Sequence, residues 1–137
     1  CDIQKDAINN TIKLLKHNGL FGDNVQLIQD NHMKFSKYVN SKIDFFIMNL
    51  GYLPGGDKSI TTNWKSTLKF VSEASSYLNI GGIGIIVFYP GHKEGLEELI
   101  NITSFLCNLD QKSFNVFNTS FINQKNNPPQ LIVIERI

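Results

Sequence analysis

The sequence predicts an α/β fold, a mostly parallel sheet that ends in a C-terminal antiparallel hairpin. Three observations carry this. The runs "VQLIQ" at 25–29, "IDFFIM" at 43–48 and "IGIIVFY" at 83–89 are short, apolar and flanked by polar residues or glycine, as strands buried on both faces are. Stretches with helical spacing lie between them, which makes crossover connections and hence parallel pairing the simplest arrangement. The last 25 residues hold "FNVFNTSFI" and "QLIVIERI", joined by the polar "NQKNNPP", which reads as a hairpin.

In order, the first helix is expected over Lys5 to His17, where Ala7, Ile8, Ile12, Leu14 and Leu15 recur at helical spacing and "HNGLFG" supplies the stop. "VQLIQ" is the next strand, and a short helix fits Met33 to Val39. "IDFFIM" follows as a strand. Apolar positions Leu68, Val71, Ala74, Tyr77 and Leu78 predict a long helix over 62–78, with "NIGG" as its C-terminal stop. After "IGIIVFY", a third helix over 93–108 should bury Leu96, Leu99, Ile100, Ile102, Phe105 and Leu106. The hairpin completes the chain.

Composition sets bounds on function. At 137 residues and 42% hydrophobic the chain makes one domain, 1–137, with a real core. A net charge of +1 gives no global basic field, so a nucleic-acid partner would have to be held by a local patch. The two cysteines, Cys1 and Cys107, have no metal-ligand or disulfide spacing, which fits a reducing cytoplasm and predicts no metal site. No apolar run reaches the roughly 18 residues of a membrane span, and no leader pattern opens the chain, so no membrane partner and a cytoplasmic location are expected.

Ligands of such sheets bind beyond the carboxyl ends of the strands, which singles out "DIQ", "QDNH", "NLGYLPGGDKS" and "YPGH". Asp2 either accepts both hydroxyls of a ribose or caps the helix that follows. Asp30 either accepts from an adenine amino group, with His32 packed nearby, or belongs to a solvated turn. Asn49, followed by Leu50, Gly51, Tyr52 and a proline, can offer carbonyls and a stacking face to an amine. Gly51 permits close backbone approach, and Asp57 and Lys58 add an acceptor and a phosphate-seeking cation. The alternative for this stretch is a glycine-rich crossover loop without ligand. Tyr89 and His92 can hydrogen-bond a substrate or take its proton, histidine being the side chain that titrates nearest neutrality, or they form a turn and a helix cap. Lys125 offers a phosphate contact from the hairpin loop, or is simply solvated there.

Five segments, "DIQKDAINNT", "NLGYLPGGDKSI", "YPGHKEG", "LDQKSFNV" and "INQKNNPP", together resemble the YtqB-like rRNA methylase family of S-adenosylmethionine-dependent methyltransferases, and they cover nearly the whole chain in order. The resemblance implies a Rossmann-like class I methyltransferase fold, S-adenosylmethionine as methyl donor and an RNA substrate. The favoured substrate is transfer RNA bearing 5-aminomethyl-uridine, often 2-thiolated, at the wobble position, because an asparagine-led strand end suits an exocyclic amine. Carried over, Asp2 would hold the ribose with Gln4 also on the cofactor, Asp30 and His32 would lie by the adenine, and Asn49 and Leu50 would border the methyl sulfonium. Gly51, Tyr52, Lys58, Tyr89, His92 and Lys125 would contact substrate, with Asn49, Tyr52, Asp57 and His92 in catalytic positions. A homodimer is a further expectation.

One departure stands at the front. The family's first strand and its glycine loop, similar to "DATxGNGxDT", should precede Asp2, so the sequence is expected to lack that segment. Its strand would lie between those ending at Asp2 and Met48. The competing readings are a methyltransferase of ribosomal RNA or a small molecule, a non-catalytic remnant, and a nicotinamide dehydrogenase. The last fits Asp2 but gives "NLGYLPGGD" no purpose.

Overall fold

The structure is a computed structural model, which describes residues 1–51 and 63–137. Its elements are α1 (Lys5–His17), a 3-10 helix (His32–Lys37), β1 (Ile43–Asn49), α2 (Trp64–Tyr77), β2 (Leu78–Phe88), α3 (Lys93–Leu106), β3 (Phe114–Ser120) and β4 (Gln130–Arg136). The sheet order is β1-β2-β4-β3. β1 and β2 are parallel, whereas β4 runs antiparallel to both β2 and β3. Three strands therefore share one direction and β4 alone is reversed, inserted between β2 and β3. The expected hairpin is present, but its second strand, not its first, joins the parallel core.

Alternation along β1 decides what the sheet buries. Phe46 and Met48 point to one face and are nearly inaccessible, while Phe45 and Ile47 point to the other and are exposed. The buried face continues through Ile86, Phe88, Ile132 and Ile134, and α2 and α3 pack on it with Val71, Ala74, Ile102 and Leu106. An aromatic chain ties the 3-10 helix to this core. Phe35 meets Phe70 and Tyr77 edge-on at 5.4 Å, Phe70 meets Phe46 at 5.6 Å, and His32 meets Phe70 at 5.8 Å. Each such pair adds about 0.5–1.5 kcal/mol beyond the area it buries.

Three expectations need correction. "VQLIQ" forms no extended strand among the described residues: only Gln29 pairs, through a parallel bridge to Asp2 with Asp2 N–H donating to the Ile28 carbonyl. A strand needs a ladder on at least one side, and here the ladder is one rung long. "NIGG" is not a simple helix stop, because β2 begins at Leu78 directly after α2. Between the pairs Ile43–Leu78 and Phe45–Ile83, β2 advances five residues while β1 advances two, so "NIGG" is spent in a bulge pinned by Asn79 Nδ2 donating to Asp44 at 2.7 Å. The stripe of α3 is rotated: it buries Gly95, Glu98, Ile102 and Leu106, while Leu96 and Ile100 are exposed.

Candidate functional site at the carboxyl ends of the strands

Two groups of predicted residues gather at the ends of the parallel strands. The first is built on the Asp2–Gln29 bridge. Asp2 Oδ1 accepts from the Gln4 backbone N–H at 2.8 Å, so the carboxylate starts the turn into α1, where Gln4 holds the N-cap position without a side-chain cap bond. Both alternatives for Asp2 thus survive, since a carboxylate has further lone pairs. Asp30 follows the bridge directly. Its carboxylate accepts from the Asn31 N–H at 2.8 Å, from Lys34 at 2.7 Å and from the Tyr38 hydroxyl at 2.5 Å, and these bonds hold it well below the usual carboxylate range. That engagement makes Asp30 an anchor of the 3-10 helix, with one acceptor position of Oδ2 still open.

His32 is the freer group. Its ring is half-buried against Phe70, and its Nε2 is inaccessible without a hydrogen-bond partner among the described residues. Burial pushes the imidazole below its ordinary value near 6.5, while the Asp2 charge pulls it partly back, which places the two side chains within electrostatic reach. An orphaned ring nitrogen on the segment just after the bridge that carries the Asp2 carboxylate fits a ligand carrying a ribose and a base. A buried polar atom is otherwise costly.

The second group sits where β1 and β2 end. Asn49 is exposed and lies on the face opposite Met48 and Leu50. Leu50 departs from expectation: its side chain is in the core at 4% exposure and its N–H donates to the Val87 carbonyl at 3.1 Å, so only its carbonyl is left to offer. Gly51 follows with φ 116°, a left-handed conformation that a side chain would strain, and a Cβ there would lie 3.8 Å from the Tyr89 ring. Tyr89 itself is 40% exposed. Gly51 and Tyr89 are thus neighbours, and Asn49 stands two residues earlier on the same strand end.

His92 caps α3. Its Nδ1 accepts from the Gly95 N–H at 3.1 Å, with Glu94 Oε2 at 3.3 Å from the same nitrogen. One nitrogen cannot accept the amide and donate to Glu94 at once. The cap is the shorter of the two contacts, and with Nδ1 accepting it the proton of a neutral ring is on Nε2, which leaves no ready lone pair for base chemistry. Gly95 lets this cap form, because a Cβ there would collide with the Tyr89 carbonyl.

The hairpin joins the same edge. Gln130, the first residue of β4, pairs with Phe88, the last of β2, so the 121–129 connection rises beside Tyr89. A Cβ on Gly91 would lie 4.0 Å from the Asn127 carbonyl, which puts the connection against the "YPGH" turn, and Lys125 is exposed on it. Tyr52, Asp57 and Lys58 lie outside the described residues. What sequence reasoning missed is the pair Thr67–Glu98, buried between α2 and α3, with Thr67 Oγ1 donating to Glu98 at 2.5 Å. The only sequence signal was a glutamate on the line of the apolar stripe. No group of histidine, cysteine or carboxylate side chains able to hold a metal occurs among the described residues, and no described helix is long and apolar enough to cross a membrane.

The site can be compared with known proteins. A relative from Arabidopsis thaliana, named tRNA (mnm(5)s(2)U34)-methyltransferase, chloroplastic, is 40% identical over 108 residues. That match takes in 76% of this chain and 39% of the relative, so the chain spans well under half of that protein. Among solved structures, a "putative rRNA-methylase" from Clostridium thermocellum is 45% identical with a TM-score of 0.95, over 99% of this chain and 73% of that one. A "putative methyltransferase" from Streptococcus mutans, solved in complex with SAH, is 36% identical with a TM-score of 0.91 over the same shares. The fold is therefore that of the class I methyltransferases, as expected. The family model described as "Putative rRNA methylase" matches residues 1–135, and with the strand-end residues arranged as above, the chain belongs to the rRNA methylase family.

Proposed function

We propose that this chain is the methyltransferase domain of an S-adenosylmethionine-dependent RNA methyltransferase that acts on an exocyclic amine, the aminomethyl group of 5-aminomethyl-uridine or its 2-thio form at the wobble position of transfer RNA. The observation that carries it is the strand end where Asn49 leads into Gly51, whose backbone lies against the Tyr89 ring, with a second polar group, Asp2 and His32, at and just after the Asp2–Gln29 bridge. The relative named for wobble-uridine methylation supports the choice of RNA.

Asp2, His32 and Gln4 are suited to hold the adenosine part of the cofactor, by carboxylate-to-hydroxyl bonds and an otherwise unpaired ring nitrogen. S-adenosylmethionine bound there supplies an electrophilic methyl group whose sulfur leaves without acid assistance. The residues of this chain then have to position the amine. The Asn49 side-chain carbonyl and the Leu50 carbonyl accept the amine hydrogens and so aim its lone pair, and Tyr89 gives the target base a face to stack on. An alkyl ammonium must first lose a proton. His92, with Nδ1 committed to the Gly95 amide, serves this reading as the residue that fixes the "YPGH" turn, and the proton passes to water.

Alignment is worth about two orders of magnitude per ångström of misplacement in such transfers. Asn49→Ala is accordingly expected to lower turnover about 100-fold while changing cofactor affinity far less. The test is methyl incorporation from labelled cofactor into transfer RNA lacking the terminal methyl, run beside ribosomal RNA on the complete protein that carries this sequence. Labelling of ribosomal RNA alone would replace the substrate, and undiminished transfer by Asn49→Ala would remove the role of that residue.

A further inference from the structure

The connection between β3 and β4 carries chemistry that the reading above does not use. It spans nine residues, 121–129, whereas hairpin loops usually span two to five. It opens with Phe121 at 61% and Ile122 at 100% exposure, two large apolar side chains with little intramolecular cover. It has no acidic residue, and Lys125 is its one charge. Asn126 and Asn127 hold left-handed backbone at φ 64° and 51°, and Pro128 and Pro129 follow, so the turn back into β4 is conformationally restricted. Restriction in the free state lowers the entropy lost on binding.

Its position fixes what it could touch. The terminal ladder row runs Phe88, Gln130, Ser120 across β2, β4 and β3, one residue beyond the row Asn49, Val87, Leu131, Thr119. With neighbouring strands about 4.8 Å apart, β3 lies about 14 Å from β1 and from Asn49. A stacked single strand covers that span in about four nucleotides at roughly 3.4 Å each. Phe121 and Ile122, at the β3 end of the loop, are too far to reach the nucleotide whose amine meets Asn49, and near enough to meet its neighbours in the same RNA loop. Exposed aromatic and aliphatic faces beside one lysine, without a carboxylate in the segment, match unstacked bases on an anionic backbone.

We infer that Phe121 and Ile122, with Lys125, form a platform on which bases flanking the target nucleotide stack, so that this loop supplies affinity for single-stranded RNA next to the site. The inference rests on the RNA reading above and adds to it a surface and a division of labour. The platform holds the flanking nucleotides, and the strand ends hold the target.

The experiment uses the complete protein and a synthetic anticodon stem-loop whose wobble uridine carries a 5-aminomethyl group. Binding is read by fluorescence anisotropy and methylation by labelled cofactor. Phe121→Ala and Ile122→Ser should each weaken RNA binding about tenfold and raise KM for the stem-loop similarly, with calorimetric affinity for S-adenosylmethionine unchanged; Phe121→Trp should restore binding. If the wild type methylates the stem-loop and both variants bind it as tightly, the platform is wrong and the RNA reading stands. If the wild type methylates no RNA, the RNA reading falls and the platform with it. If the variants keep RNA affinity but change the sedimentation coefficient, the patch is an interface between copies of the chain and the inference is overturned.

Discussion

Gly84 shows how a single missing side chain shapes the site from a distance. It sits in the middle of β2 opposite Phe46, and a Cβ built on it would fall inside the Phe46 ring. That ring is 7% exposed and meets Phe70 edge-on, and Phe70 in turn meets His32. Gly84→Ala should therefore destabilise the fold by about 1–3 kcal/mol through overpacking, read as a lower urea midpoint with unchanged slope. Adding Phe46→Leu should recover part of the loss, since the smaller side chain yields the space. His32 makes the second prediction at this scale. Burial lowers its folded-state pKa below the unfolded value near 6.5, so below that pH the unfolded chain takes up a proton the folded chain resists. Stability attributable to His32 is full above about pH 6.5 and is lost as pH falls through it. Urea midpoints measured at pH 7.5 and 5.5 should show the decline, and His32→Gln should reduce the difference; an unaltered difference would assign the decline to other groups. The burial of His32 was not legible in "QDNH", where the choice lay between packing by an adenine and a solvated turn, because burial of that ring is decided by Phe70, 38 positions away.

At the scale of elements, the sequence located α1 to the residue and β1, α2, α3, β3 and β4 to within about three, because each has an apolar period with capping or glycine punctuation. What it could not resolve was the rotation of α3. Leu96 and Ile100 carry the apolar signal, yet the helix turns Glu98 inward to meet Thr67 on α2. Hydrophobicity sums cannot rank a buried hydrogen-bonded carboxylate above an exposed leucine, since the gain depends on a partner from another helix. Thr67 and Glu98 are both nearly inaccessible, and Thr67 lies in the first turn of α2 just beyond its Asn63 cap. Thr67→Val keeps the shape and removes the donor, so it should cost about 1–3 kcal/mol of stability, the penalty for leaving a buried acceptor short of a bond. Thr67→Ser should cost less, because the hydroxyl remains; thermal unfolding of the two variants side by side separates lost bonding from lost packing.

Across the whole molecule, what was legible was the edge: among the described residues, "DIQ" and "QDNH" meet at one bridge, Asn49 to Gly51 and "YPGH" meet at the ends of β1 and β2, and the hairpin loop rises beside the second pair. How they divide was not legible, because the division follows from sheet order. The Asp2–Gln29 bridge is separate from the four-stranded sheet among the described residues, and α1, which follows it, has no buried residue. Asp2 is thus carried on lightly packed structure, His32 is tied to the core through Phe70, and the second group stands on the core itself. A ligand that contacts both should stabilise the lighter part most, by about 2.7 kcal/mol at one hundred times its Kd. For a protein of this size class that corresponds to a rise in Tm of about 5–10 °C with S-adenosylhomocysteine. Amide hydrogen exchange should place the added protection chiefly in α1, with little change in β2 and β4, whose pairing is already complete. Asp2→Ala should abolish the shift without lowering the Tm of the free protein by more than a few degrees, since among the described residues the side chain bonds the Gln4 amide alone in its absence. Protection spread evenly over the sheet, or a full shift retained by Asp2→Ala, would mean that the cofactor is held by the core group alone and that Asp2 serves only the turn into α1.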